Sequence, residues 1–196
     1  MRSKNSHHDI SSRKEPAVKI FSLFLVLVVT CVSFSIAQQK VVHFKKLQEF
    51  LPSKEMPGFK RNKATGSTQT VMGMTTSEAA VRYMKPAIDT VQEQTIEIKI
   101  NDMILMPFAA WGMMYQQQDY ENETEEGYEK TVTVKKAYKG VEKSQTGESK
   151  SCSLNFAIGN RFNVSIEANG FSNAALLTGL AESMDLDKLS KTEADK

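Results

Sequence analysis

The chain is expected to fold as α+β, with a single antiparallel sheet and helices packed on one face. Three observations predict this. Short segments alternate apolar and polar residues, most plainly Ile96, Ile98 and Ile100 against Thr95, Glu97 and Lys99, the mark of a strand with one buried and one wet face. Such segments come in groups instead of alternating singly with helices, which argues against a parallel βαβ sheet. Runs of helical spacing sit near both ends, at Val41–Leu51 and at Leu176–Met184.

Residues 1–37 read as a signal peptide. Arg2, Lys4, Arg13, Lys14 and Lys19 precede the uncharged run from Ile20 to Phe34, and Ser35-Ile36-Ala37 supplies small residues for cleavage after Ala37. The run is shorter than the roughly 20 apolar residues that span a bilayer, and Thr30 and Ser33 dilute its end. The alternative is an uncleaved anchor; lipid attachment at Cys31 is disfavoured by Thr30 before it and by the run continuing past it. In each case residues 38–196 form a single exported domain. The leader takes five of the 25 basic and two of the 23 acidic residues, so the remainder has a net charge of −1. That balance, with no aromatics interleaved among Lys and Arg, excludes a nucleic-acid platform.

Along the domain, Val41, Val42, Phe44, Leu47, Phe50 and Leu51 predict a helix over 41–51 that Pro52 ends. Pro57-Gly58 predicts a turn and weak alternation predicts a strand at Gln69–Met74. Thr75-Thr76-Ser77-Glu78 resembles a helix capping box, but Ala79, Val81 and Tyr83 favour a strand. After the strand at Thr95–Ile100, the apolar segment Met103–Tyr115 predicts a short buried helix over 107–117. The acidic run Asp119–Glu129 is expected to be a solvated loop. Two short strands follow, around Val132–Val134 and Val141.

The last hairpin permits a sharper expectation. A two-residue loop at Gly159-Asn160 would put Leu154, Phe156 and Ile158 on the opposite face from Phe162, Val164 and Ile166. A three-residue loop, Gly159–Arg161, pairs Ile158 with Phe162 and brings all six to one core. Leu176, Leu177, Leu180 and Met184 then share a helix capped by Ser172 or Asn173, and Asp185 caps a final turn through Leu189.

Chemistry is sparse in this chain. Past the leader there is one histidine, His43, and one cysteine, Cys152, expected to be buried and inert. No phosphate loop, dinucleotide fingerprint or zinc-spaced ligand set is present, so no catalytic residue and no cofactor is assigned. Methionines are the compositional oddity. Trp111, Met113, Met114, Met106 and Phe108 are candidates to line an apolar ligand groove. The alternative is Cu(I) handling by the soft thioethers of Met72, Met74, Met103, Met106, Met113 and Met114.

Several short motifs, Pro57-Gly58-Phe59-Lys60-Arg61, Ile96-Glu97-Ile98 before Asp102, Ala110-Trp111-Gly112 and Gly159-Asn160-Arg161-Phe162, resemble those of a family of exported bacterial proteins of unknown function. More distantly, the order of elements resembles PsbP-like and LpqN-like accessory domains. The resemblance implies a bacterial host and a periplasmic or envelope location. The expected role is a non-enzymatic module that binds a protein partner or a small apolar ligand. Contact with a membrane is expected only through the N-terminal segment, if it is retained.

Overall fold

In the computed structural model, residues 40–71, 74–87, 92–103 and 119–194 are described. Strand far outweighs helix in them. The strands are β1 (Lys60–Arg61), β2 (Thr65–Val71), β3 (Met74–Lys85), β4 (Gln94–Asp102), β5 (Glu121–Thr124), β6 (Gly127–Val134), β7 (Tyr138–Gln145), β8 (Ser151–Ile158) and β9 (Phe162–Asn169). The helices are α1 (Phe44–Leu47), running into a 3₁₀ turn at Gln48–Phe50, then α2 (Ala174–Ser183) and α3 (Leu186–Ser190).

All pairings are antiparallel, in the order β1-β3-β4-β9-β8-β7-β6-β5, with β2 beside β3 on the same side as β1. Two meanders, β2–β4 and β5–β9, therefore meet where β9 closes on β4. Alternation decides what each strand buries. Val81, Ile98, Ile166 and Leu154 lie in one row across β3, β4, β9 and β8, and Ala79, Ile100, Val164 and Phe156 in the next. These side chains join Leu47, Leu177, Ala181, Leu186 and Leu189 of the helices in one hydrophobic core.

The β8–β9 hairpin has the register that its apolar pattern demands, with Ile158 opposite Phe162 and Leu154 opposite Ile166. Gly159 turns it at φ +58°. Asp185 caps α3 by accepting from the Lys188 amide at 3.1 Å. Asn173 stands at the N-cap of α2 but makes no side-chain capping bond.

Three expectations are corrected. The first helix is shorter than expected, one α turn over Phe44–Leu47 that tightens into the 3₁₀ turn ending at Phe50; His43 caps it, its Nδ1 accepting from the Lys45 amide at 3.3 Å. The strand expected at Gln69–Met74 is two legs of a hairpin, β2 ending at Val71 opposite Met74 of β3; the strand favoured through Ala79, Val81 and Tyr83 is present as part of β3. The acidic run is not a loop, since Glu121–Thr124 pairs with Gly127–Lys130 as the edge of the sheet. The solvent exposure read from its charges is correct, and an edge strand meets that demand as well as a loop does. The helix expected over 107–117 lies outside the described residues.

Candidate functional site

Two carboxylates are buried in the described residues, and each is committed to partners. Asp102 ends β4 on the inward face and is 0% exposed. Arg161, the last residue of the β8–β9 loop, donates to it through Nε at 3.1 and 3.0 Å and through Nη2 at 2.7 Å. The Val42 amide adds a bond of 2.6 Å to Oδ2, and Arg161 Nη2 donates to the Lys40 carbonyl at 2.9 Å. One ion pair thus clasps the N-terminal arm, the end of β4 and the β8–β9 turn together. A planar guanidinium suits this role because it holds both a carboxylate and a carbonyl in fixed directions.

Glu142 of β7, 6% exposed, is the second. It sits in the row of Leu154 and Lys130, where the inward face changes from apolar to polar. The Tyr128 hydroxyl donates to Oε1 at 2.8 Å, Thr178 of α2 donates to Oε2 at 3.3 Å, and Lys130 Nζ lies 3.7 Å away. Burial, together with the hydrogen bond to Glu142, pushes the Tyr128 phenol up to about 12. Burial and the charge of Glu142 push the Cys152 thiol up to about 11, which keeps it protonated and a poor nucleophile.

A pH dependence follows. Both groups hold their protons more tightly when folded, so their contribution is complete below the ordinary values of 9.0 and 10.0 and is lost as pH rises toward 11 and 12. Tyr138, also raised, adds in the same direction. The urea midpoint is expected to fall steadily from pH 9 to pH 11, and Tyr128→Phe to flatten the upper part of that fall. At pH 8 a thiol reagent should leave Cys152 unmodified in the native protein and label it in urea; rapid native labelling would contradict the assignment.

The third feature is the β5 edge. Glu121, Asn122, Glu123 and Thr124 are all exposed, and so are Asp119, Glu125 and Glu126 beside them. The Thr131 amide donates to the Tyr120 carbonyl at 2.9 Å, so by antiparallel alternation Asn122 and Thr124 face β6 with their backbone, whereas Glu121 and Glu123 turn theirs outward. A half-open cleft of about 160 Å³ opens beside this edge, lined by Asn122, Thr124, Tyr128, Ser144 and Gln145 among others. Gly127 shapes it: at φ +151°, an added Cβ would stand 2.0 Å from the Ser144 carbonyl oxygen.

Of the residues singled out from sequence, Met74 is exposed at the β2–β3 turn and Met103 is half-buried just after Asp102, its amide donating to the Arg161 carbonyl at 2.9 Å. Met72, Met106, Phe108, Trp111, Met113 and Met114 lie outside the described residues. Sequence reasoning overlooked Asp102, Arg161 and Glu142. For Glu142 a signal existed, since it holds an inward position in the alternation of β7. Comparison with protein-family models, with curated proteins and with solved structures finds no match.

Proposed function

We propose that the chain is a non-enzymatic exported module of the periplasm or cell envelope that binds a protein partner, by adding an extended segment of that partner to β5. Helices cover one face of the sheet in this reading and leave its β5 edge for the partner. The observation that carries it is the edge itself, exposed at all four residues with the backbone groups of Glu121 and Glu123 turned outward. Strand addition takes affinity from such main-chain groups and selectivity from the flanking side chains. Those side chains are acidic here. Two copies paired through β5 would oppose glutamates, which is repulsive, whereas a segment with Lys or Arg at alternate positions is attracted.

The buried ionisable groups support a binding role over catalysis. The carboxylates of Asp102 and Glu142 hold elements of the fold together, and the thiol of Cys152 is kept neutral. The readings as an apolar-ligand carrier or a copper protein rest mainly on Met103–Tyr115, most of which lies outside the described residues.

A photo-crosslinking residue at Asn122, in cells of the chain's own host, tests the proposal. An adduct with one distinct protein is expected. Glu123→Pro should abolish it, because it removes an outward N–H that the β5–β6 ladder does not use, and should leave the unfolding midpoint unchanged. An adduct indifferent to Glu123→Pro, or no adduct, sinks strand addition.

A further inference from the structure

The β2–β3 hairpin runs past the rest of the sheet. β4 ends at Asp102 opposite Ser77, so Met74, Thr75 and Thr76 pair only with Val71, Thr70 and Gln69. No charged residue occurs between Lys63 and Glu78, in a chain that is 24% charged. At the end of this neutral finger Val71 is 61% and Met74 41% exposed; they are the exposed large hydrophobic side chains of the described residues, and as cross-strand partners they make one patch.

Behind the patch, polar groups satisfy one another. The hydroxyls of Thr70 and Thr75 lie 2.8 Å apart across the strands, as do those of Thr68 and Ser77. The hairpin ladder takes up the backbone groups that face between its two strands, and those on the outer sides are left to water and headgroups. Side chains so arranged lose little when the tip settles into the interfacial layer, since desolvation is costly chiefly for polar groups without partners. Its neutral, mutually bonded side chains also offer little for reading a particular protein surface. An apolar tip on a self-satisfied stem fits the interfacial layer of a bilayer, where contact needs apolar area and no sequence-specific recognition.

The position of the N-terminal arm agrees. Asp102, opposite Ser77 at the root of the finger, holds the Val42 amide, so the arm enters at the end of the sheet from which the finger projects. In sequence, five residues separate Lys40 from Phe34, where the apolar run ends, a span of about 20 Å when extended. A leader retained in a bilayer would keep this end of the sheet at the membrane surface.

We propose that the β2–β3 fingertip, Val71 with Met74, inserts into the interfacial region of a lipid bilayer. This adds a second membrane contact to the one that the N-terminal segment alone was expected to make, and it does not depend on strand addition at β5.

The test uses the full chain with Cys31→Ser and Val71→Cys, labelled at position 71 with an environment-sensitive fluorophore, and vesicles of phosphatidylethanolamine and phosphatidylglycerol. Vesicles are expected to shift the emission to shorter wavelength, to protect it from iodide and to make it quenchable by nitroxide-bearing lipid. The same label at Thr133→Cys, exposed on β6, should show none of these changes even if the leader binds the vesicles. Adding Met74→Asp, a change at an exposed site, should remove the shift at position 71 and leave the urea midpoint in place. The proposal is overturned if label 71 behaves like label 133. It is equally overturned if the shift arises without vesicles and grows with protein concentration, the outcome expected of a contact between copies.

Discussion

Replacing Arg161 by alanine is expected to destabilise the protein by about 3–5 kcal/mol, the largest effect of any polar substitution outside the edge. The reason lies in what remains. Asp102 is 0% exposed and would be left buried without the guanidinium that balances it. Removing both partners, as Asp102→Leu with Arg161→Met, should recover part of that loss, because the buried carboxyl group goes with its partner. Recovery stays incomplete. The Val42 amide loses its 2.6 Å acceptor and is left unsatisfied, a deficit of about 1–3 kcal/mol. Urea denaturation of the three proteins should therefore rank native, double variant and Arg161→Ala in descending stability. A loss below about 1 kcal/mol for Arg161→Ala, the scale of an exposed pair, would show that the clasp is not holding the arm.

The second large effect belongs to the middle of the sheet. Ile98 is 0% exposed and lies between Val81 of β3 and Ile166 of β9. Ile98→Ala removes three carbons where neighbouring strands cannot close the gap, and is expected to cost about 2–5 kcal/mol. Its chain neighbour supplies the control. Lys99 points to the other face, 2.9 Å from Glu97 in a partly exposed pair, and Lys99→Ala should change stability by only about 0.5 kcal/mol. The contrast reads out the register, because a slip of one residue would exchange the two outcomes.

What was legible in the sequence follows from which interactions are local. Ile96, Ile98 and Ile100 declare their strand because alternation is a property of neighbours, and the β8–β9 loop length follows from requiring six apolar residues to share a side. The acidic run misled because charge reports exposure, and exposure is common to loops and to edge strands; whether Glu121–Thr124 pairs with β6 depends on an alternation that polar residues do not display. Gln69–Met74 misled in another way. Thr68, Thr70 and Met74 carry little contrast between faces, so the pattern did not mark where one strand stopped and the next began. The clasp lay furthest from view. Asp102 and Arg161 are far apart in sequence, and only the return of β9 to β4 brings them together. For the candidate site, the acidic character of the edge was legible and its geometry was not.

The change of polarity along the inward face has a consequence for how the protein fluctuates. The two inward rows that contain Val81 and Tyr83 are apolar from β3 to β8, but they continue at β7 through Glu142 and Ser144, and at β6 through Lys130 and Tyr128. Burial of apolar area therefore couples β3, β4, β9 and β8 tightly; β6 contributes Val134 to the same core, with Val132 and Tyr128 packed against it, whereas β5 is exposed throughout and is held by its ladder to β6. Amide hydrogens of β5 should exchange through local opening at a free energy well below that of global unfolding, and those of β4 and β9 only when the whole domain unfolds. The strand offered to a partner is thus also the one that detaches most readily, and a ligand that adds to β5 would slow exchange there first.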